Sequence, residues 1–259
     1  MRLIEEALLI SAAVASPELS FSERGFELLE RVDYRRADTE EEREAIYRMR
    51  YAAYLREGAI APNSLKELSD RHDSAPNAWT FGLYIDSKLV SSIRVCIATA
   101  EHPLTPATNV FGDVLLPELE LGKTIVDPNR FVTDPDATRA FPELPYLTVR
   151  LGFVACEYFN ADIGAATPRL EHEAFYKRVF RMDRATGPRI FPTLTKAHSL
   201  MAIHYPSVRS KILTRYPFFR STFFERRMLF ERTYAPLVPA NDPLPVREDV
   251  NETLQGLLS

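Results

Sequence analysis

The spacing of apolar residues along the chain switches between a helical and a strand-like period. Apolar positions that recur every three or four residues predict helices over 2–16, 22–31, 40–56, 146–160, 170–180 and 207–230. Runs rich in β-branched and aromatic residues predict strands over 32–37, 79–85, 88–99, 124–133, 162–166, 184–192 and 197–205. This order of elements is typical of an α+β protein.

Local signals define several of these elements more closely. Thr39 and Glu42 form a capping box at the start of the third helix, and residues 86–87 give a tight hairpin connection between the second and third strands. Pro128 lies inside the fourth strand and predicts a bulge or a sheet edge there, because proline cannot donate to a strand ladder. The segment 100–123 is predicted to be a proline-bearing loop.

The two ends of the chain are predicted to be additions to one central unit. We expect residues 1–31 to be an N-terminal helical extension, residues 32–206 the core, and residues 207–259 a C-terminal helical extension with a tail, in a single domain overall. Pro217 breaks the helix of the C-terminal extension. Prolines that recur from Pro236 onward predict a loosely packed tail.

Composition excludes several classes of protein. No apolar run approaches the roughly 18 residues that a membrane-spanning helix needs. Glutamates at positions 5 and 6 make the first segment an amphipathic helix rather than a signal peptide. Two cysteines, Cys96 and Cys156, cannot build a disulfide framework, so a reducing cytoplasm is expected. A hydrophobic content of 46% is ample for a core and excludes a disordered chain.

The formal net charge of −4 conceals an uneven distribution. The segment 169–232 holds 14 Lys and Arg against five Asp and Glu, a net charge of +9, which leaves −13 for the rest of the chain. Such a surface can steer an acidic partner, or it can be a solvated basic face without a partner. No zinc-finger spacing or helix-turn-helix pattern accompanies it, so nucleic acid is not expected. His198 and His204 lack the helical spacing of a zinc pair, and no metal is expected.

Four short motifs carry the candidate chemistry. Arg50 and Tyr54 lie four residues apart on one helix and therefore lie on the same side of it. The other motifs lie in a polar loop and on two strands: Asp70 and Asp73 in the loop, Arg94 on the third strand, and Asp127, Arg130 and Phe131 on the fourth.

In this order, the motifs resemble those of the acyl-homoserine-lactone synthases and the related long-chain N-acyl amino acid synthases. They are similar to the family's Leu-Arg-x-x-x-Phe helix block, Asp-x-x-Asp loop pair, Val-x-Arg-Phe/Leu strand and Glu-x-Ser-Arg-Phe-x-Val-Asp strand. The motifs cover about residues 40–135, and the element order extends the likeness to about residue 205. The resemblance implies a GNAT acyltransferase fold, an α/β/α sandwich whose mixed sheet splays open between its fourth and fifth strands around the acyl thioester.

The resemblance also implies roles for these residues. The substrate pocket would be shaped by Arg50, Tyr54, Asp70, Asp73, Arg94 and Phe131, although the charged members could form only a structural ion-pair network. Asp127 stands at the position of the family's glutamate and has a side chain that is one methylene shorter. It would take the proton of the attacking amine through a water molecule, and Arg130 would belong to the same catalytic set. N–H groups near Pro128 would stabilise the oxyanion. Tyr176 falls near the tyrosine that protonates the leaving thiolate in many GNAT enzymes, or is merely packed.

Departures from the family patterns narrow the substrates. Ile60 and Leu68 stand where the lactone synthases carry a tryptophan and a loop glutamate that help hold S-adenosylmethionine, which argues against that acceptor. No glycine lies between Asp134 and Gly152, so the loop that cradles the coenzyme A pyrophosphate in ordinary GNAT enzymes is missing. A carrier-bound phosphopantetheine needs less of that loop. An acidic acyl carrier protein would dock on the basic residues Lys177, Arg178 and Arg181.

We therefore expect a cytoplasmic N-acyltransferase without a tightly bound cofactor. It would move a medium- or long-chain fatty acyl group from acyl carrier protein, or from coenzyme A, to the amine of an amino acid, with the acyl-phosphopantetheine thioester as co-substrate. One alternative is an acyl-homoserine-lactone synthase that uses S-adenosylmethionine. The alternative from another class is a non-catalytic module that binds or senses acyl lipids, a reading that the shortened carboxylate of Asp127 leaves open.

Overall fold

The computed structural model describes residues 19–232. The helices in this range are α1 (Phe21–Arg31), α2 (Glu40–Arg56), α3 (Pro106–Glu120), α4 (Pro135–Ala140), α5 (Leu144–Tyr158), α6 (Glu173–Phe180), α7 (Tyr205–Arg215) and α8 (Phe223–Phe230). The strands are β1 (Val32–Arg36), β2 (Ala78–Ile85), β3 (Lys88–Ala98), β4 (Ile125–Thr133), β5 (Ile163–Ala166), β6 (Asp183–Ile190) and β7 (Ala197–His204). Short 3₁₀ turns occupy Arg71–Ser74, Leu170–His172 and Pro217–Phe219. The predicted helix at 2–16 and the predicted tail from Pro236 lie outside the described residues.

The strands form one mixed sheet in the order β1-β2-β3-β4-β5-β7-β6. β4 and β5 are parallel, and the other neighbouring strands are antiparallel. The parallel pair is bonded only where Ile125 and Val126 meet Ile163 and Gly164, so the rest of β4 runs free of β5. The sheet therefore splays open between its fourth and fifth strands, as the resemblance implies.

β4 contains a bulge close to Pro128, as predicted, but the proline itself pairs in register with Val95. The pairing of β3 with β4 shifts register between Ser92 and Arg94, opposite residues 129–132 of β4. Arg130 has a positive φ of 54°, a left-handed conformation that a non-glycine residue rarely adopts inside a strand.

The two faces of the sheet carry different helices. α2 and α3 cover one face, where Ala98, Phe111 and Ile125 belong to a small core. α1, α5, α7 and α8 lie on the other face and form the main core with β2, β3 and β4. Successive residues of a strand point to opposite faces of the sheet. Ile125 accordingly packs into the small core, and Val126 packs into the main core.

The loop predicted at 100–123 is wrong in its central part, which forms α3. The prolines suggested a loop, yet Pro106 occupies the first turn of the helix and Thr105 caps it by accepting the N–H of Thr108. Every fourth residue of α3 is buried against the sheet, namely Ala107, Phe111, Leu115 and Leu119. A non-helical conformation at Phe111 kinks the helix, and Pro117 inside it also masked the helical pattern. The short helix α4 was likewise not predicted.

Most other predicted elements are confirmed with shifts of one to three residues at their ends. The side chain of Thr39 accepts the N–H of Glu42 at the start of α2, and the side chain of Glu42 accepts the N–H of Thr39, as in a capping box. Pro217 interrupts the C-terminal helical region, which divides into α7, a 3₁₀ turn and α8.

Within residues 19–232, no helix is long and apolar enough to cross a membrane. In the same range, no group of three or more His, Cys, Asp and Glu side chains is arranged to hold a metal ion.

Candidate active site

A cavity of about 830 Å³ opens where β4 and β5 diverge. Residues 128–133 of β4 form one wall, and residues 167–169, directly after β5, lie on the opposite side. Tyr54 of α2 and Tyr176 of α6 close the sides. The volume is that of a small-molecule site.

Five charged side chains from α2, the first 3₁₀ turn with its cap, β3 and β4 form an ion cluster beside this cavity. Arg50 Nη1 lies 2.7 Å from Asp73 Oδ1. Arg94 Nη1 lies 2.7 Å from Asp70 Oδ1 and 3.0 Å from Asp73 Oδ1. Arg130 Nη2 lies 2.7 Å from Asp70 Oδ2. The structure thus brings together five of the predicted site residues, and three guanidinium groups meet only two carboxylates.

The two aspartates also build the turn that presents them. Asp70 caps the 3₁₀ turn by accepting the backbone N–H of His72 at 2.9 Å. The backbone N–H of Asp70 in turn donates to Asp73 Oδ2 at 2.9 Å. This reciprocal capping fixes both carboxylates toward the arginines, which explains why the loop needs an Asp-x-x-Asp spacing.

The arginines keep both aspartates ionised. Burial alone would raise the pKa of Asp70, but Arg94 and Arg130 hold that pKa well below its usual range. Burial also opposes the ionisation of Asp73, and Arg50 and Arg94 outweigh it and lower the pKa of that carboxyl group.

Arg130 of the ion cluster lines the cavity and has a hydrogen-bond donor that no described residue uses. Its side chain is 10% exposed, and its buried Nη1 has no hydrogen-bond partner among the described residues. The ring of Tyr54 packs 5.4 Å from the guanidinium carbon, and Phe131 adds an apolar wall. A buried guanidinium with a free N–H is suited to bind an anionic group of a ligand.

Asp127 lies beneath the cavity and is not among its lining residues. The side chain is fully buried, and its Oδ2 accepts the backbone N–H of Ala107 at the start of α3, at 3.0 Å. Burial raises the pKa of Asp127, although the contact with Ala107 works in the opposite direction. Asn129 connects this residue to the ion cluster, because its amide donates to the carbonyl of Asp127 and accepts from Arg94.

An apolar chamber lies behind the cavity, between α5, α6 and the diverging strands. Its walls include Ile93, Val149, Phe153, Phe180 and Met182. Pro128 and Tyr176 line both the cavity and the chamber and therefore lie between the two, and the chamber has a volume of about 30 Å³. Burial raises the pKa of Tyr176 above its usual range, and its hydroxyl therefore stays protonated.

A glycine on α5 permits this arrangement. A Cβ atom on Gly152 would lie 2.5 Å from Cγ of Pro128, closer than any normal contact. The absence of a side chain at Gly152 lets α5 approach the bulge of β4. The position of Pro128 at the mouth of the chamber therefore depends on the packing of α5.

The N-terminus of α5 has no free amides to offer a ligand. The N–H groups of its first turn donate to carbonyls of the preceding segment, and the second helical residue is Pro145, which has none. The Glu143 carboxylate, which is buried beside this terminus, pairs with Arg24 of α1 at 2.6 Å. A negative charge thus occupies the end of the helix where an anion would otherwise bind.

The predicted docking residues lie outside the cavity on the surface of α6 and its C-cap. Lys177, Arg178 and Arg181 are exposed, and none of them forms an ion pair with a described acidic residue. Other basic residues of the same segment are neutralised, because Arg184 pairs with Glu173. The surface of α6 therefore keeps its positive charge.

The sequence analysis missed several residues of the cavity wall. Asn129 is a neutral residue within a charged motif, and His72 lies between two aspartates, so neither was predicted to line the cavity. His198 was considered only as a metal ligand, yet it lines the cavity from β7. Cys96 and Cys156 are buried free thiols, and burial raises the pKa of the Cys96 thiol to about 12, so that thiol stays protonated.

A mixed sheet that opens between two parallel neighbours, with helices on both faces and a ligand-sized cavity in the gap, defines the GNAT-like acyltransferase class. The family model described as "N-acyl amino acid synthase FeeM" matches residues 45–204, more than half of the chain. The chain belongs to this family and is an N-acyltransferase that uses an acyl thioester.

Solved structures share the fold. FeeM, an N-acyl amino acid synthase from uncultured soil microbes, is 19% identical with a TM-score of 0.58, over 73% of this chain and 98% of that chain. The coenzyme A-dependent acyl-homoserine lactone synthase BjaI is 12% identical with a TM-score of 0.51, over 72% and 89% of the two chains. A third, the coenzyme A-dependent acyl-homoserine lactone synthase MesI, is 14% identical with a TM-score of 0.50, over 74% and 97%. None of the curated proteins matches the chain.

Proposed function

We propose that the protein transfers a medium- or long-chain fatty acyl group from carrier-bound phosphopantetheine to the α-amine of an amino acid. The observation that carries this proposal is that one cavity combines a buried guanidinium group with an apolar surface. Arg130 holds a buried Nη1 that has no hydrogen-bond partner among the described residues, and apolar side chains such as Phe131 and Phe175 line the same cavity of about 830 Å³. A carboxylate would suit the first feature and an acyl chain the second, whereas the chamber of about 30 Å³ behind the cavity is too small for a medium or long chain.

Different residues of the cavity would carry out the separate steps of the acyl transfer. Arg130 would bind the acceptor's carboxylate and direct its amine at the thioester carbonyl. Backbone N–H groups at the bulge around Pro128 would donate to the developing oxyanion. Tyr176 would protonate the leaving thiolate: its hydroxyl carries the proton, although burial raises the pKa and so weakens the hydroxyl as an acid. The other members of the ion cluster would act by holding Arg130 in place.

Asp127 would act on the amine only indirectly. Its carboxylate lies beneath the cavity and accepts the N–H of Ala107, so a proton from the amine would have to reach it through a water relay past Asn129. The raised pKa of Asp127 is compatible with a proton acceptor. Its contact with α3 equally supports a positioning role.

The N-terminus of α5 supports a carrier protein over coenzyme A as the acyl donor. A pyrophosphate at a helix N-terminus needs free N–H groups and a positive potential. Here the amides are already bonded, and Glu143 adds a negative charge. The unpaired basic side chains of Lys177, Arg178 and Arg181 would attract an acidic carrier protein instead. The two buried free thiols fit a reaction in the reducing cytoplasm.

The acceptor assignment is tested by comparing an amino acid with the amine that results from its decarboxylation. Wild-type protein should prefer the amino acid in kcat/KM, and Arg130→Gln should reduce that preference by about tenfold or more, as expected for one charged hydrogen bond. The preference is a ratio measured on one sample, so a lower yield of folded variant does not affect it. An unchanged preference in Arg130→Gln would show that Arg130 does not bind the carboxylate.

A further inference from the structure

Three histidines line the cavity, and their ring nitrogens differ in what they bind. The amide nitrogen of Asn109 lies 2.9 Å from His72 Nε2 and donates to it. Arg169 Nη2 lies 2.6 Å from His172 Nε2 and donates likewise. Each of these two rings therefore has its basic nitrogen occupied.

His198 is arranged in the opposite way. Its Nδ1–H donates to the backbone carbonyl of Lys196 at 2.9 Å, which leaves the lone pair on Nε2. No described residue forms a hydrogen bond with that Nε2, although the residue is only 7% exposed and lines the cavity. The ring of Phe191 packs edge-on at 5.3 Å and fixes the plane of the imidazole.

We infer that His198 Nε2 accepts the proton of the acceptor's amine before the amine attacks the thioester. The inference rests on the proposed function and names the residue that would prepare the nucleophile for it. The backbone carbonyl of Lys196 would hold the ring in the required tautomer, in the way that a second hydrogen bond orients other catalytic histidines.

The electrostatic surroundings keep this imidazole neutral and able to accept a proton. Burial is the largest influence and lowers the pKa of His198, whereas the hydrogen bond to Lys196 raises it. Arg169 and Arg130 lower the pKa further, and Glu171 opposes them. Arg189 lies opposite His198 in the pairing of β6 with β7, and its guanidinium is neutralised by Asp113. Arg130 and His198 both line the cavity, which allows the carboxylate and the amine of one ligand to lie between the two side chains.

The proton transfers balance over the reaction. The ammonium group gives one proton to His198 Nε2, and the free amine forms a bond to the thioester carbon. When the carbon–sulfur bond breaks, a second proton leaves the nitrogen and ends on the thiolate sulfur, which gives the free carrier thiol. The third hydrogen stays on the amide product, and the imidazolium releases its proton to solvent.

The test compares pH profiles of His198→Asn with those of the wild type. The asparagine amide can still donate to the carbonyl of Lys196 but cannot take a proton. We expect kcat at pH 7 to fall by about 10²-fold or more. In the wild type, kcat/KM should rise with pH through an apparent pKa below the ordinary histidine value of roughly 6.5. In His198→Asn the rise of kcat/KM at this pKa should disappear. The value of kcat/KM should instead keep rising with pH until the amine of the acceptor is itself deprotonated.

The matched control is His204→Asn, the same substitution at the exposed end of β7, which should keep both the rate and the profile. Equal rates and an unchanged profile in His198→Asn, while the wild type forms N-acyl amino acid, would overturn the inference and leave the proposed function standing. A 10²-fold loss in Asp127→Asn with none in His198→Asn would return the role to Asp127. Wild-type protein that makes no N-acyl amino acid would instead reject the proposed function.

A second readout does not depend on turnover. The ¹⁵N chemical shifts of the His198 ring in the intact protein should show a protonated Nδ1 and a bare Nε2 at pH 7, with a pKa below the ordinary histidine value. A ring protonated on Nε2 at that pH would contradict the inference, because no lone pair would then face the cavity.

Discussion

At the scale of single residues, the ion cluster holds Arg130 at the wall of the cavity. Asp70 binds Arg94 and Arg130 at once and caps its own turn, so one carboxylate connects β3 and β4 to the loop before β2. Removing one partner of a buried ion pair leaves the other charge uncompensated, which costs more than the pair contributed. We therefore expect stability and acceptor binding to depend on the same residue.

Asp70→Asn should lower the free energy of unfolding at pH 7 by about 3 kcal/mol, since Arg130 loses its carboxylate partner and Arg94 keeps only Asp73. Chemical denaturation measures the change. The matched control is Asp136→Asn, which removes an exposed pair with Arg139 and should leave the midpoint nearly unchanged. Equal stabilities of the Asp70 variant and the wild type would show that the ion cluster does not stabilise the fold.

The same variant gives a pH dependence with a defined sign. The pKa of Asp70 is lower in the folded protein than in the unfolded chain. Its stabilisation is therefore complete above the unfolded pKa, about 4, and is lost as the pH falls toward the folded value. The difference in unfolding free energy between wild type and Asp70→Asn should shrink below pH of about 4. A constant difference over that range would contradict the assignment.

Residue types and spacing made part of the site predictable. The residues of the ion cluster all lie in the four motifs. Each motif combines charged side chains with a sequence spacing that sets which way those side chains point. His198 was not predictable in this way, because its chemistry depends on a hydrogen bond to a backbone carbonyl and on a cavity that forms only after folding. The burial of Asp127 under α3 depends on a helix that the sequence analysis did not identify.

At the scale of elements, the bulge of β4 and the packing of α5 together hold Pro128 between the cavity and the apolar chamber. The order of elements along the chain and an irregularity of β4 near Pro128 were predictable, because hydrophobic period and proline act locally, whereas the opening of the sheet between β4 and β5 was implied only by the family resemblance. The helix α3 was not predicted, although apolar residues recur at every fourth position from Ala107 to Leu119 in the sequence. Proline and threonine act as a helix start or a loop depending on context, and tertiary packing decided between them.

Gly152→Ala should reduce activity with medium- and long-chain acyl donors. Alanine normally stabilises a helix relative to glycine by up to 1 kcal/mol, but here the new methyl group would displace Pro128, which lines the cavity. We expect a lower melting temperature and a larger loss of kcat/KM for long acyl chains than for acetyl. The control, Gly112→Ala on α3, meets only the flexible side chain of Leu116 and should keep wild-type activity. A variant of Gly152 with wild-type chain-length preference would argue against a role of Pro128 in binding the acyl chain.

At the scale of the whole molecule, ion pairing redistributes the charge seen in the sequence. Several arginines of the basic segment are neutralised by acidic residues from other elements, as Arg189 is by Asp113 and Arg209 by Glu157. The positive charge that remains includes the surface of α6, the helix that also forms part of the cavity wall. A docked acidic partner would therefore lie close to the cavity.

Neutralising Lys177, Arg178 and Arg181 to glutamine should raise KM for an acyl carrier protein substrate by about tenfold and leave kcat unchanged, because exposed charges act on encounter and docking. The effect should weaken as salt is added. A matched variant with glutamine at Arg31, Arg35 and Lys88, exposed basic residues near the β1 edge, should keep the wild-type KM. Equal KM values for the two triple variants would remove α6 as the docking surface.

The most direct measurement of the central claim is the product made by purified protein that is offered every substrate at once. The mixture would contain acyl carrier protein and coenzyme A thioesters of distinguishable chain length, a set of amino acids and S-adenosylmethionine, and mass spectrometry would identify the products. We predict N-acyl amino acids that carry the chain supplied on the carrier protein. Acyl-homoserine lactone as the main product, or no acyl transfer from either donor, would contradict the account.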